Sequence, residues 1–319
     1  MMMLNEIAKV IERADNIAVF PHVSADGDAL GSCIALGLAL RKKGKKVKIY
    51  LEDEIPAVYG FLTGKDITEV YTGKTERFDL GIAVDTGDYD RLGSRADSFK
   101  DATITVNIDH HFTNSEFAFH NYVQPDAAAS GEIIFNLVKL MGLEIDIDMA
   151  VCLYVAISTD TGGFRYSNTT GTTHSIASEL LNKGINVSEI SQSIFDTTSL
   201  AKVKLMGEAI NSLEIYENGK IAFITLTDEM MSRSGANDED CDGIVNIGRN
   251  IRGVEAAALL RQRGNGEIKA NLRSNKFVDV SAIAGLYNGG GHKRAAGFTT
   301  LKSLEETKKL LLQDIKEAL

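Results

Sequence analysis

The sequence has few cysteines, no long apolar run and no excess of positive charge. Its 319 residues include three cysteines that lie far apart and form no Cys-x-x-Cys pair, which argues against a disulfide framework and against a zinc–thiolate site. No apolar run approaches the roughly 18 residues of a membrane-spanning helix, and the N-terminal segment carries acidic side chains in an amphipathic pattern unlike that of a secretory signal. The net charge of −10 argues against coating of long nucleic acid through bulk positive charge. We therefore expect a cytoplasmic protein with no membrane segment.

Length and composition indicate a globular protein of two domains. Hydrophobic residues make up 44% of the chain and charged residues 24%, as is typical of globular proteins, and a domain usually has roughly 100 to 200 residues. One large α/β domain is the alternative. The charge is uneven, because all of the net negative charge lies in residues 1–210, whereas residues 249–294 hold nine basic side chains and three acidic ones. If these charges are more than solvated surface, the acidic part is suited to cations and the basic segment to a phosphorylated substrate.

The first part of the chain alternates between strand-like and helix-like patterns. Apolar or β-branched runs predict strands at 16–22, 46–53, 78–85 and 102–109. An amphipathic pattern predicts a helix at 28–43, and helical patterns predict further helices at 129–141, 147–158, 171–183 and 188–195. This alternation predicts an α/β fold with a mostly parallel sheet flanked by helices, in which ligands bind at the carboxyl ends of the strands.

The pattern changes after residue 197. Two hairpin-like pairs follow a helical segment, and Asn218-Gly219 and Gly264-Asn265-Gly266 stand at their turns. A glycine-rich element and a terminal helix at 303–318 complete the chain. The predicted boundaries are 1–197 for the first domain, 198–212 for a linker helix and 213–319 for a smaller α+β domain.

Three potential metal ligands, His22, Asp26 and Asp28, are crowded into one turn directly after the first predicted strand. Carboxylates this close repel each other unless a divalent cation lies between them, and imidazole is a further ligand for such an ion. Either aspartate alone is explained equally well as the cap of the helix that begins near Ala29. Capping does not account for all three side chains, so we expect a metal site.

Further carboxylates and imidazoles follow other apolar segments. Asp85 ends the third predicted strand, and Asp109, His110 and His111 end the fourth. Asp160 follows a predicted helix. A single aspartate at a strand end is commonly a turn or cap residue, whereas Asp-His-His is much less common there. Because parallel strands end at one edge of a sheet, we expect these side chains to join the first cluster.

Four segments resemble the four motifs of the DHH phosphoesterase family in order and approximate spacing. They are HVSADGDALGS from residue 22, AVDTGD from residue 83, NIDHH from residue 107 and STDTGGFRYS from residue 158. The segment GGGHKRAAG from residue 289, with Arg273-Ser274-Asn275 before it, resembles the DHHA1 domain that accompanies this family. In length and domain pairing the chain is most similar to the NrnA-type oligoribonucleases, which also dephosphorylate 3′-phosphoadenosine 5′-phosphate (PAP). One departure is Ala25, where related sequences often have proline.

The resemblance implies two divalent cations, manganese or magnesium, and the two histidine ligands favour manganese. One ion is expected at His22, Asp26 and Asp85. The second is expected at Asp28, Asp85, His110 and Asp160, with Asp85 bridging. The resemblance also implies that Asp109 orients His110 and that His111 lies near the scissile phosphate or the leaving oxygen. We therefore take Asp85, Asp109 and His111 as the catalytic residues.

The glycine-rich element of the second domain is suited to an anion. Successive glycines let the backbone approach a ligand and offer it N–H groups, while His292 and Arg273 are able to donate charge-assisted hydrogen bonds to a terminal phosphate. For the glycines alone, a flexible turn is the alternative, and for Arg165 it is an ordinary loop position. The predicted substrate-binding residues are Arg165, Arg273, Ser274, Gly290, Gly291 and His292.

The resemblance implies a metal-dependent phosphoesterase whose partners are short RNA and nucleotide bisphosphates. We expect it to degrade very short RNAs to mononucleotides and PAP to AMP, and by analogy to cleave linear dinucleotides such as pApA. The alternative enzymes are a RecJ-like exonuclease on longer single strands and an inorganic pyrophosphatase or exopolyphosphatase. A non-catalytic nucleotide sensor is disfavoured because all six proposed ligands are present, and an alanyl-tRNA editing hydrolase would explain only the second domain. A homodimer is compatible with the sequence, although we find no feature that indicates one.

Overall fold

In the computed structural model, which describes residues 3–73 and 76–319, the chain divides after Thr197. The two compact units are Met1–Thr197 and Thr198–Leu319, and each has its own apolar core. Within the described residues, no helix is long and apolar enough to cross a membrane.

The first unit combines one sheet with surrounding helices. Its strands are β1 (Asn16–Phe20), β2 (Lys46–Leu51), β3 (Thr68–Val70), β4 (Leu80–Val84), β5 (Ile104–Asp109) and β6 (His120–Val123). Its α-helices are α1 (Leu4–Arg13), α2 (Gly27–Lys42), α3 (Ala96–Lys100), α4 (Ser130–Leu140), α5 (Ile147–Asp160), α6 (Gly171–Leu181) and α7 (Val187–Ser191). A 3-10 segment, Tyr89–Arg95, lies between β4 and α3, and a short π-helix, Gln192–Asp196, follows α7.

The sheet of the first unit is parallel, with the strand order β3-β2-β1-β4-β5-β6. The predicted α/β fold with helices around a parallel sheet is therefore confirmed. Its central strands β1 and β4 consist almost entirely of buried apolar residues, because both faces of the sheet are covered. The sequence pattern does not predict the edge strands β3 and β6. Both are short and mostly half-exposed, so they lack the run of buried positions that identifies a strand.

Helix α2 is buried on all sides, so its predicted amphipathic character is wrong. Every residue from Gly27 to Leu40 is buried, and the helix packs against α4 and α5. Gly31 permits the close approach of α5, because a Cβ at this position would lie 2.3 Å from the carbonyl oxygen of Cys152. Since α2 begins beside Asp26 and contains Asp28, its packing sets the position of both carboxylates.

The second unit contains a mixed sheet with helices packed on it. Its strands are β7 (Glu214–Tyr216), β8 (Ile221–Leu226), β9 (Ala256–Gln262), β10 (Ile268–Ser274), β11 (Gly290–His292) and β12 (Ala295–Thr300). Its α-helices are α8 (Leu200–Asn211), α9 (Asp228–Ser234), α10 (Val245–Arg249), α11 (Val280–Gly285) and α12 (Leu304–Glu317). The strand order is β11-β12-β10-β9-β8-β7, and β8 and β9 are parallel whereas the other neighbouring pairs are antiparallel. The expected α+β character of this region is confirmed.

Helix α8 lies where the sequence predicts a linker helix, and it packs within the second unit. Its residues Leu205 and Ala209 are fully buried in an apolar cluster that includes Ile224 of β8 and Leu259 of β9. The helix therefore contributes to the core of the second unit.

Candidate metal centre and active site

Three neighbouring strands bring the predicted ligands to one edge of the first sheet. His22 lies two residues after β1, Asp85 directly follows β4, and Asp109 ends β5. Because β1, β4 and β5 are parallel neighbours, these carboxyl ends lie side by side. The remaining carboxylates come from two helices that share the core with this sheet. Asp26 and Asp28 lie at the start of α2, and Asp160 lies at the end of α5.

His22, Asp26 and Asp85 form one group of potential ligands. Nε2 of His22 lies 3.8 Å from Oδ1 of Asp26 and 3.6 Å from Oδ2 of Asp85. Nδ1 of His22 is 2.7 Å from the carbonyl oxygen of Val23, an arrangement that leaves Nε2 to face the carboxylates. Asp26 also caps α2, since its Oδ1 accepts hydrogen bonds from the N–H groups of Asp28 and Ala29. Asp26 therefore both caps α2 and belongs to this group of potential ligands.

Asp28, His110 and Asp160 form a second group. Nε2 of His110 lies 3.7 Å from Oδ2 of Asp28 and 3.6 Å from Oδ2 of Asp160. It is also 3.5 Å from Oδ1 of Asp85. Ligands about 2.1 Å from a shared ion are roughly 3 to 4 Å from one another, which these separations match. Nδ1 of His110 is 3.2 Å from the carbonyl oxygen of Ala127, so Nε2 is again the nitrogen that faces the carboxylates.

Asp85 connects the two groups. Its Oδ2 faces His22, whereas its Oδ1 faces His110 and accepts a hydrogen bond of 3.0 Å from the hydroxyl of Ser130. The backbone of Asp85 has a φ of 58°, in the left-handed region that residues other than glycine seldom adopt. Such strain is concentrated at functional sites, where the surrounding contacts hold it in place. A third group in the described residues, Asp85, His110 and His111, also contains this carboxylate.

The start of α4 holds Asp28 in place. The carboxylate of Asp28 accepts hydrogen bonds from the N–H groups of Ser130 (2.7 Å) and Gly131 (2.9 Å) and from the hydroxyl of Ser32 (2.9 Å). These donors fix the carboxylate although it is almost completely buried.

The crowding of carboxylates raises several pKa values. Burial and the charges of Asp85 and Asp160 raise the pKa of Asp28 well above its usual value. Burial also raises the pKa of Asp85, to which the charge of Asp26 adds. Partial burial and the charges of Asp85 and Asp26 raise the pKa of Asp160 to about 6, although His110 opposes the shift. Divalent cations would remove this repulsion, and oxygen and imidazole donors without thiolate are suited to them. The residues present therefore fit a divalent metal site.

The structure corrects the partner of Asp109. The family resemblance implies that Asp109 orients His110, but Oδ1 of Asp109 lies 2.7 Å from Nδ1 of His111 instead. Asn114 donates to the other oxygen of Asp109 at 2.5 Å. Although burial opposes both shifts, the hydrogen bond between the two side chains lowers the pKa of Asp109 and raises the pKa of His111 to about 9. Asp109 thus fixes the orientation of His111 and favours its protonated form.

Three further residues of the site, Ser130, Asn114 and Arg91, were not predicted from the sequence. The signal for Asn114 was its position three residues after the Asp-His-His segment, whereas Ser130 contacts Asp28 and Asp85 only because α4 packs there. Arg91 is exposed in the 3-10 segment after β4, and one guanidinium nitrogen lies 2.9 Å from Nδ1 of His22. No pattern in the sequence indicates that a cationic side chain lies beside the acidic cluster.

The predicted substrate-binding residues of the second unit lie on β10 and β11. Arg273 is half-buried on β10 and donates a hydrogen bond of 3.0 Å to the carbonyl oxygen of Leu272. Ser274 is only 5% exposed, and its hydroxyl donates to the carbonyl oxygen of Val278 at 2.6 Å. Ser274 therefore stabilises a turn and offers little surface to a substrate.

The three successive glycines are explained partly by packing between strands. A Cβ at Gly289 would lie 2.3 Å from the carbonyl oxygen of Gly297, and one at Gly291, whose φ is 140°, would lie 2.5 Å from that of Ala295. Both glycines are thus needed for the close approach of β12. At Gly290, in contrast, an added Cβ would meet no atom of the described residues within 4 Å apart from its chain neighbours, so these residues leave space beside it. His292 pairs with Ala295, and its side chain lies outside the described part of the structure.

Arg165 lies in the turn that follows α5. Its side chain is exposed, and Nε donates a hydrogen bond of 2.6 Å to the carbonyl oxygen of Gly162. Nearby, Asn168 donates to the carbonyl oxygens of Ala128 and Asp160. These contacts hold the turn next to Asp160. Arg165 therefore lies in a restrained turn that directly follows one of the potential metal ligands.

Comparison with known proteins identifies both units. The model of the DHH family N-terminal domain matches residues 16–157, and that of the DHHA1 domain matches residues 218–319. The chain is 32% identical to a Thermus thermophilus protein named bifunctional oligoribonuclease and PAP phosphatase NrnA, over 100% of this chain and 94% of that protein. It is 27% identical to the Bacillus subtilis protein of the same name, over 97% of this chain and 96% of the relative.

A solved structure gives the same result for the fold. The crystal structure of an exopolyphosphatase-related protein from Bacteroides fragilis matches with a TM-score of 0.93 and 29% sequence identity, over 98% of this chain and 95% of that one. The matched domains and the full-length relatives agree with the four motifs and the clustered ligands. The chain therefore belongs to the DHH phosphoesterase family, among members that pair the DHH domain with a DHHA1 domain.

Proposed function

We propose that this protein hydrolyses very short RNAs to mononucleotides and removes the 3′-phosphate of PAP to give AMP. The observation that carries the proposal is Asp85, whose two oxygens face His22 and His110 in two adjacent groups of ligands. The full-length relatives named oligoribonuclease and PAP phosphatase support the choice of substrates. Linear dinucleotides such as pApA belong to the same chemical class, and we include them in the proposal.

The site is proposed to hold two divalent cations, with manganese preferred. His22, Asp26 and Asp85 would hold one, and Asp28, Asp85, His110 and Asp160 the other. When bound, such ions make water a better nucleophile and stabilise negative charge on the phosphoryl oxygens. The two imidazole donors favour manganese over magnesium, which prefers oxygen ligands.

The protein itself supplies orientation and a proton donor. Ser130 and Gly131 fix Asp28, and Ser130 also restrains Asp85, so the carboxylates need little reorganisation before reaction. Nδ1 of His111 lies 2.7 Å from Oδ1 of Asp109, and we propose that the other ring nitrogen, Nε2, faces the substrate. We propose that a protonated Nε2 of His111 donates to the oxygen that leaves when the P–O bond breaks.

Substrate-binding residues are proposed in each unit separately. In the second, Arg273, Gly290, Gly291 and His292 would bind the terminal phosphate or ribose of a short substrate. The open space beside Gly290 supports this role. In the first, Arg165 would contact substrate near Asp160. Ser274 would act indirectly, through the turn that it stabilises.

A hydrolysis panel in manganese tests the proposal. The substrates are PAP, a 5′-labelled RNA dinucleotide, a five-nucleotide RNA, a 24-nucleotide RNA and inorganic pyrophosphate, with His292→Ala tested alongside the wild type. We expect fast turnover of PAP and the short RNAs, reduced in the variant. Preference for the 24-nucleotide RNA would support the RecJ-like alternative, and hydrolysis of pyrophosphate alone would support the pyrophosphatase alternative. The cytoplasmic location and a homodimer remain predictions.

A further inference from the structure

Phe112 is an exposed aromatic residue that stands next in the chain to the candidate active-site residue His111. It directly follows the Asp109-His110-His111 segment, and it is 88% exposed. A large apolar side chain in water gains nothing for the stability of the fold. Single exposed apolar residues are common on protein surfaces, so the exposure becomes informative only together with the position and rigidity of the segment that carries it.

The backbone around Phe112 is held on both sides. The N–H of Asn114 donates to the carbonyl oxygen of His111 (3.1 Å), and the N–H of Ser115 donates to that of Gly87 (2.9 Å). The side-chain amide of Asn114 also donates to Oδ1 of Asn107 at 2.8 Å and to Oδ2 of Asp109. The turn is thus tied to the ends of β4 and β5, which restrains the backbone that carries Phe112.

The segment before Phe112 reaches into the centre of the site. Nδ1 of His111 lies 3.7 Å from Oδ1 of Asp85, the carboxylate shared by both ligand groups. Consecutive Cα atoms are about 3.8 Å apart, so Phe112 stands one residue from a side chain that contacts the reaction centre. In a nucleotide, a single ribose joins the base to the phosphate. A substrate whose phosphate lies at that centre therefore brings a nucleobase close to the residues around the centre.

We propose that Phe112 is a platform on which a nucleobase next to the scissile phosphate stacks. This inference rests on the proposed function, which supplies the nucleotide substrate. Stacking on a phenyl ring is open to all four bases, because each base presents a π-face. It would therefore help an enzyme to bind short RNAs of any sequence, and it would favour nucleotides over phosphoesters that lack a base.

The chain offers a matched control in Phe119. This residue is 76% exposed and lies in the same unit, so its removal changes the surface in a similar way. Its N–H donates to the hydroxyl of Thr105 near the start of β5, and β6 begins at the next residue. Since β5 and β6 are parallel, Phe119 lies at the amino end of the sheet, opposite the edge that carries the ligands.

The test combines variants of the protein with dinucleotide substrates from which one base has been removed. Wild type, Phe112→Ala, Phe112→Trp and Phe119→Ala are compared with manganese on an RNA dinucleotide and on dinucleotides in which one or the other base is replaced by hydrogen. We expect Phe112→Ala to lower kcat/KM on the intact dinucleotide about tenfold, chiefly through KM. Phe112→Trp should retain activity, and Phe119→Ala should stay within twofold of wild type. On one of the two abasic substrates, Phe112→Ala should have no effect, which would show which base stacks.

A binding measurement separates this inference from the proposed function. The Kd of a non-hydrolysable dinucleotide is measured by calorimetry with the same variants, and Phe112→Ala should raise it about tenfold. If the wild type cleaves no dinucleotide but binding still depends on Phe112, the stacking inference stands and the proposed reaction fails. If the dinucleotide is cleaved while Phe112→Ala behaves like Phe119→Ala in both assays, the inference is overturned and the function stands. An equal loss on intact and both abasic substrates would also overturn it, because it would indicate a disturbed His111.

Discussion

At the scale of single residues, Asp85 contributes to both groups of potential ligands. Its oxygens face His22 and His110, its φ is 58°, and Ser130 donates a hydrogen bond to it. A carboxylate held in this way is pre-organised to serve both groups of ligands. Under the proposed function, replacing one of its oxygens should therefore disturb both groups, whereas replacing an exposed carboxylate nearby should not matter.

We predict that Asp85→Asn lowers kcat for every substrate by roughly 1,000-fold, as loss of a central electrostatic group does in other active sites. Asp90→Asn, an exposed carboxylate in the following segment, is the control and should remain active. Hydrolysis of an RNA dinucleotide in manganese gives the rate, and metal analysis after dialysis gives the number of ions bound. Near-normal activity of Asp85→Asn would contradict a bridging role.

Arg273 is predicted to act on substrate binding and not on the metal site. Arg273→Ala should raise KM for PAP about tenfold, the effect expected when one charge-assisted hydrogen bond is lost. Because Arg273 belongs to none of the groups of potential ligands, kcat and manganese content should change little. Lys276→Ala, an exposed cation three residues later, is the control. Loss of bound manganese in Arg273→Ala would refute its assignment to substrate binding.

At the scale of elements, the position of the ligands depends on how α2 packs. This helix is buried from Gly27 to Leu40, and its contact with α5 has no room for a side chain at Gly31. Apolar residues on all sides of a helix are visible in the sequence, but the partner that covers each side is not. For the same reason the half-exposed strands β3 and β6 escape sequence analysis, whereas the buried runs of β1 and β4 are readily predicted.

Two glycines in helices should respond in opposite directions to the same substitution. Gly31→Ala should destabilise the protein by about 2 kcal/mol, because the backbone of α5 blocks the added methyl group. In Gly207→Ala, in the exposed part of α8, the added methyl group meets no neighbouring atom of the described residues within 4 Å, so the substitution should stabilise the protein by about 0.5–1 kcal/mol through higher helix propensity. Urea unfolding followed by circular dichroism measures both. Equal effects of the two variants would show that the α2–α5 contact relaxes freely.

At the scale of the whole molecule, the chain consists of two units with separate cores and different charge. The net negative charge lies in residues 1–210, which include the whole first unit, where carboxylates with raised pKa values are crowded together. Relief of that repulsion is available only in the folded first unit, where the donor atoms are assembled. Binding of cations should therefore stabilise this unit specifically.

We predict that manganese at about 100 times its Kd stabilises the first unit by about 2.7 kcal/mol for each ion bound. Hydrogen exchange read by mass spectrometry should show slower exchange at the ends of β1, β4 and β5, and little change in β8–β10. Removal of the metal with EDTA should reverse the protection, and Asp85→Asn should show much less of it. Equal protection of both units, or protection retained in the variant, would contradict the proposed location of the ions.

The sequence by itself determined which types of ligand stand at the ends of the strands. It also determined that a parallel sheet with helices is followed by a second domain of α+β type. It did so because buried parallel strands are continuous apolar runs, so the polar residues that end them are easily recognised. Only the tertiary structure decided how the ligands are held: Asp28 accepts hydrogen bonds from Ser130 and Gly131, 102 and 103 residues later, and Asp109 binds His111 instead of His110. Such contacts depend on where α4 docks and how one turn closes, and neither is encoded in a local pattern.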